Sequence, residues 1–209
     1  AAASDTVITM LGLPSDVEQV YFGRAGDGGI LAAAKPGSLL IDMTTSSPRL
    51  AERISRAAEE RGIEALDAPV SGGDVGARDA SLVIMVGGRQ EAFDRAVPFF
   101  EQLGKSITLL GPAGNGQRCK LVNQIAVAVG MVAWCEALAV AKAARLDPSV
   151  VQGVIGGGAA KSWGLINLAP RALSEDFKPG FLVRHLVKDI RLAQEEAECH
   201  GGNLPGLEV

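Results

Sequence analysis

Residues 111–124 read GPAGNGQRCKLVNQ. Before this stretch, strand-like and helix-like segments alternate; after it, no segment reads convincingly as a strand. Working outward upstream, DTVITML (5–11), GSLLIDM (37–43), IEALDAPV (63–70), SLVIMVGG (81–88) and SITLLG (106–111) read as strands. Helical segments separate them: PSDVEQVYFG (14–23), a segment over 48–61, and QEAFDRAVPFFEQLG (90–104). Ser47 is suited to an N-cap and Pro48 to a first helical position, and Gly62 and Gly104 are suited to ends. Strands separated by helices of this length predict a mostly parallel sheet with helices on its faces.

Downstream the chain predicts one long helix from about Gly116 to Ala144, a helix after DPSV, a break at GGGAAKS, another at INLAPRAL, and an amphipathic helix over 181–199. The boundary falls at Gly111–Gly116, giving an α/β part over 1–111 and an all-helical part over 112–209. Internal repeats and low-complexity tracts are absent from the sequence.

Composition narrows the class. The chain has 209 residues, 47% hydrophobic and 21% charged, with a net charge of -4. That is globular rather than disordered. The pI of 5.3 gives no basic patch of the nucleic-acid type. From Leu121 to Ala141 the only strongly polar side chains are Asn123, Gln124 and Glu136. A run of that length could span a bilayer; its amides, its glutamate and its alanines favour a helix buried between protein elements. The three cysteines, Cys119, Cys135 and Cys199, form no CxxC pair. Two lie in apolar helical sequence, so reduced core thiols and a cytoplasmic setting are expected. Two histidines are too few for a histidine-based metal site, and no metal is expected. No signal peptide is visible.

Three strand ends carry candidate chemistry. Ligands of doubly wound sheets bind beyond the carboxyl ends of strands. LLIDMTTSSP places Thr44 and Thr45 there, although Ser46 or Ser47 could be plain caps. Ser71-Gly72-Gly73 ends the next strand; two glycines let backbone N–H groups turn toward a carboxylate, and a simple turn would use them equally well. Lys120 lies in the first turns of the long helix, with Asn123 and Gln124 three and four residues on, on one face. Burial and the positive helix end both disfavour an ammonium, so its pKa should fall toward neutrality. Such a lysine can exchange a proton with a substrate oxygen, with an amide positioning that oxygen. An ordinary solvated first turn is the alternative.

Three motifs in order, DAPVSGG…MVGG, then G-x-G-Q-x-x-K-x-x-N-Q, then FKPGFLVRHLVKDIRLA, resemble those of the β-hydroxyacid dehydrogenases, which include 3-hydroxyisobutyrate dehydrogenase and tartronate semialdehyde reductase. The resemblance covers nearly the whole chain. It implies part of a Rossmann-type parallel sheet followed by an all-helical domain like that of 6-phosphogluconate dehydrogenase. It implies hydride transfer between NAD or NADP and a small 3-hydroxyacid. By the resemblance Lys120 is the catalytic lysine, with Gln124 or Asn123 as its amide partner. Ser71, Gly72 and Gly73 hold the substrate carboxylate. Leu13 and Pro14 touch the cofactor ribose, Thr45 lies near the nicotinamide, and Lys188 reaches the cofactor from the helical half; unaided, Lys188 reads as a solvated helix face. The apolar helical half points to a homo-oligomer, a dimer or tetramer.

The family's G-x-G-x-x-G turn, which binds pyrophosphate, does not occur in these residues, nor does the residue that chooses between NAD and NADP. The sequence therefore reads as the middle of such an enzyme, and the 209 residues alone are expected to bind NAD(P) weakly. Two rivals remain. A 6-phosphogluconate dehydrogenase-like activity shares SGGDVGAR, but that family usually has His before its Asn, where KLVNQ has Val122. A non-catalytic binding protein that kept the fold would explain the missing glycines, though not the retained Lys120, Ser71 and Gly73.

Overall fold

The computed structural model describes residues 1–24 and 28–208. Its first part holds strands β1 (Thr6–Thr9), β2 (Leu39–Asp42), β3 (Glu64–Asp67), β4 (Val70–Ser71), β5 (Leu82–Val86) and β6 (Gly104–Leu109). Between them lie α1 (Pro14–Phe22), α2 (Gly29–Ala33), α3 (Pro48–Glu59), α4 (Gly73–Arg78) and α5 (Gln90–Phe100). Strands β1, β2 and β3 pair in parallel in that order. Strand β5 pairs in parallel with β6 and antiparallel with the two-residue β4. The two groups meet at an Asp67–Gly87 bridge, in which Gly87 N donates to Asp67 O over 2.8 Å.

Period-two alternation sends β2 side chains to opposite faces. Leu39, Ile41 and Met43 join Leu66, Ile84, Val86, Ala96 and Phe100 on one side. Leu40 joins Val17, Tyr21, Leu31, Ile54 and Ile63 on the other. Each face of the sheet thus carries its own core, and helices cover both, as the alternating sequence requires.

The second part is helical: α6 (Asn115–Ala143), α7 (Pro148–Gly156), α8 (Trp163–Asn167), α9 (Ala169–Leu173), α10 (Val183–Cys199) and a short 3-10 turn over Pro205–Leu207. Leu121 of α6 packs on Leu192 and Ala193 of α10. Farther along α6, Leu138 packs on Leu165 and Ala169.

The break expected at INLAPRAL falls at Leu168 alone, between α8 and α9; Pro170 sits in the first turn of α9, where a missing N–H costs nothing. Three local expectations need correction. Ser47 stands at the N-cap position of α3 yet makes no side-chain cap bond. The cysteines are not core thiols: Cys135 and Cys199 are exposed and Cys119 half-buried, all three free. Helix α6 is less buried than its hydropathy suggests, with Val122, Val127, Val129, Val132 and Val140 exposed. By length and composition alone α6 is apolar enough to cross a membrane. In this fold it packs against α3, α7, α8, α10 and β5.

Candidate active site

The buried stripe of α6 is polar where it meets the sheet. Gly116, Gln117, Lys120, Leu121, Gln124 and Ala128 are its buried residues in the first four turns. Their spacing of three, four and seven residues is one helix face. That face looks onto the carboxyl ends of β2 and β3 and onto α10. Close approach there needs glycine: a Cβ on Gly116 would lie 2.4 Å from Met85 O and 2.6 Å from Asp67 O.

Lys120 is 7% exposed. Burial lowers its pKa to about 8, Asp189 opposing the shift and Lys188 adding to it. Among the described residues its ammonium has no ion pair within 4.0 Å. Its neighbours are linked to one another. Gln124 Nε2 donates to Asp189 Oδ2 over 2.7 Å, and Asn123 Nδ2 donates to Gln124 Oε1 over 2.8 Å. Lys188 pairs with Asp189 Oδ1 at 2.9 Å, and Lys188 Nζ also donates to the carbonyl oxygen of Thr45. Both amides left open by the sequence therefore belong to one chain of contacts, Gln124 in its buried middle and Asn123 at its half-buried end.

The loop after β2 is held from three sides. Asp42 is buried, and its Oδ1 accepts from Thr9 Oγ1 at 2.9 Å and from Thr44 N at 3.1 Å. Burial raises the Asp42 pKa; the Thr44 and Thr9 bonds and Lys188 oppose that. Thr44 Oγ1 accepts from Leu11 N over 2.8 Å, so the loops after β1 and β2 are tied together. Gln117, fully buried, donates Nε2 to Thr44 O over 2.7 Å and accepts Ser46 N at Oε1 over 2.8 Å.

Leu13 and Pro14 begin α1 at the carboxyl end of β1. Leu13 faces Arg184, Val187, Lys188 and Arg191 of α10 across a groove of about 420 Å³. His185 approaches the same loop: a Cβ on Gly12 would lie 3.9 Å from its Cε1. A dinucleotide lying over the carboxyl ends of parallel strands passes through such a groove. Leu13 and Lys188 line this groove, and Lys188 reaches from it to the carbonyl oxygen of Thr45. No hydrogen bond among the described residues joins Ser71, Gly72 and Gly73 to the Lys120 chain of contacts. Gly72 (φ 134°) and Gly73 (φ 65°) adopt backbone that other residues rarely take, and Gly73 opens α4. A larger hollow of about 550 Å³ is lined by Glu52, Arg56, Glu59, Arg89 and Arg118 among others. None of the candidate residues lines it.

Asp189 and Asp67, like Asp42, carry no expectation from the sequence. Asp189, 1% exposed, sits on the α10 face that also buries Leu192 and Ala193. An acid at that helical spacing from apolar residues was the available signal. Asp67, 3% exposed, ends β3, and burial raises its carboxyl to about 6. Its partners are backbone N–H groups of α6, which no side-chain pattern reveals.

Comparisons with known proteins agree in direction. Residues 1–111 match the profile of the NAD binding domain of 6-phosphogluconate dehydrogenase, and residues 114–209 match that of NADP-dependent 3-hydroxyisobutyrate dehydrogenase. An uncharacterized oxidoreductase of Bacillus subtilis, YkwC, is 53% identical over 99% of this chain and 70% of its own length. The 2-hydroxy-3-oxopropionate reductase of Escherichia coli K12 is 42% identical over 97% of this chain and 68% of its own length. The structure of Mycobacterium tuberculosis 3-hydroxyisobutyrate dehydrogenase with L-serine is 36% identical and superposes with a TM-score of 0.88, covering 99% of this chain and 72% of that one.

Proposed function

The chain belongs to the β-hydroxyacid dehydrogenase family, NAD(P)-dependent oxidoreductases, and on that premise we propose that Lys120 is the proton-transfer group of a small 3-hydroxyacid dehydrogenase. The substrate class is a short carboxylate whose reacting oxygen lies on the carbon β to the carboxyl. Two relatives' names support it: L-serine, bound in the Mycobacterium tuberculosis structure, and 2-hydroxy-3-oxopropionate share that arrangement. In this reading 3-hydroxyisobutyrate and glycerate are the first compounds to assay.

The bound nicotinamide supplies the hydride acceptor in oxidation and the donor in reduction. The rest is the work of the chain. Neutral Lys120 takes the hydroxyl proton in oxidation, and its ammonium returns a proton to the carbonyl oxygen in reduction. Burial makes both forms accessible near neutral pH, because its pKa is lowered to about 8. Gln124, held by Asp189 and Asn123, orients the reacting oxygen beside it. Ser71 with the amides of Gly72 and Gly73 receives the carboxylate. Leu13, Pro14, Thr45 and Lys188 flank the nicotinamide half of the cofactor. In this reading residues 1–111 form the dinucleotide-binding domain and 112–209 the substrate domain. A second copy covers the exposed apolar side chains of α6 and α7.

The observation that carries the proposal is the burial of Lys120 beside Lys188 and Asp189 of α10, with no ion pair among the described residues. In a full-length version that carries the family's glycine-rich turn, Lys120→Ala is expected to lower kcat by about 10²–10⁴-fold while NADH binding, read by calorimetry, is retained. In the unaltered enzyme, oxidation should speed up as pH rises through about 8 and reduction should slow over the same interval. Full turnover in Lys120→Ala would remove the lysine from the mechanism.

A further inference from the structure

Helix α6 begins at Asn115 with Gly114 at its N-cap, a residue with no side chain to take a first-turn N–H. An N-cap side chain ordinarily accepts from the second or third helical N–H. Here the acceptor comes from another element. Asp67, at the end of β3, accepts Gly114 N at Oδ1 over 2.7 Å and Gln117 N at Oδ2 over 2.8 Å. The fit leaves no room for slack: a Cβ on Gly87 would lie 2.6 Å from Asp67 Oδ1, and one on Gly116 would lie 2.8 Å from Oδ2. Gln117 then carries the contact onward through its side chain to Thr44 O and Ser46 N. Lys120 follows Gln117 by three residues on the same buried face.

We infer that Asp67 is a positioning residue for proton transfer: its carboxylate caps α6 from the sheet and so fixes Lys120 against the loop at Thr44–Ser46. The inference rests on the reading of Lys120 as the proton-transfer group. Asp67 touches no reacting atom; it acts through the first turn of α6. A misplacement of roughly 1 Å at the reacting group is enough to cost about a hundredfold in rate.

The carboxylate form is required, because both oxygens must accept. Burial pushes the Asp67 carboxyl up to about 6, against the pull of the Gly114 and Gln117 amides, and Asp42 on β2 adds to the rise. The groups packed against it are Asp42 from β2, those two amides at the start of α6 and the Gly87 backbone just after β5; among the described residues no cation pairs with it. Below about pH 6 one oxygen becomes an O–H and can no longer accept its amide. The folded protein binds this proton more readily than the unfolded chain. The group's contribution to stability is therefore full below its unfolded pKa of 3.8 and lost as pH rises through about 6. A fall in turnover on the acid side near 6 thus reports the cap and not unfolding driven by Asp67.

The test is kcat against pH in both reaction directions, for the unaltered enzyme and for Asp67→Asn, which can accept only one of the two amides. The unaltered enzyme should show an acid limb near pH 6 in both directions. Asp67→Asn should lose that limb and turn over roughly 10–100-fold more slowly at neutral pH, with substrate KM and the NADH dissociation constant changed by less than about threefold. An acid limb that survives in Asp67→Asn, or a KM and kcat that deteriorate together, overturns the inference. If Asp67→Asn does not fold, the unaltered enzyme decides: an acid limb common to both directions supports the inference, and its absence overturns it. The limb near pH 8, of opposite sign in the two directions, tests Lys120 separately, so either assignment can fail alone.

Discussion

The sheet-bearing part and the helical part bury their apolar side chains to different degrees. Around the sheet, Val17, Leu40, Ile41, Ile84, Val86 and Phe100 are fully buried. In the helical part Val140 is 67%, Val154 72% and Val183 76% exposed. A two-faced sheet with helices on both sides closes on itself. A long helix packed along one side leaves an apolar surface that only another chain segment or copy can cover. The candidate site lies where these two kinds of packing meet, at the first turns of α6.

The largest effect expected from this contrast is in the sheet. Phe100→Ala removes a ring packed among Leu39, Ile84 and Ala96 and should cost about 3–5 kcal/mol, read by denaturant unfolding. A cost under about 1 kcal/mol would show that the sheet part is no tighter than the helical part. The smallest effect belongs to the helical surface. Val140→Asp with Val154→Asp should move the stability of a single chain by less than about 0.5 kcal/mol per site, since both positions are open to solvent. The same pair should shift sedimentation toward the 21.6 kDa monomer if a second copy covers that face. An unchanged sedimentation profile would remove self-association at α6 and α7 from the account.

The legibility of the chain follows the same division. The strands were legible because each is a short apolar run punctuated by glycine, proline or a cap. Helix α6 was legible from Gly114–Gly116 and the apolar run beyond it. The two-residue β4 and the five-residue α2 carry too few residues for a periodic signal. The helical surface misled for a physical reason: hydropathy records which side chains avoid water, and not whether this chain supplies their cover. At the site, Lys120 and its amides could be read because their partners share one helix face. Asp67 and Asp189 could not, because their significance lies in contacts with α6, which Asp67 makes to backbone amides 47 and 50 residues away and Asp189 makes to Gln124, 65 residues away.

The central claim is that folding turns Lys120 into a group that can lose its proton near neutral pH. Carbon-13 labelling of the lysine ε-carbons and titration by NMR tests it directly. The account predicts one resonance that titrates near pH 8 and disappears in Lys120→Arg. If every lysine resonance titrates above about 10, as free lysine does, the buried ammonium is not tuned and the proposed proton transfer is wrong.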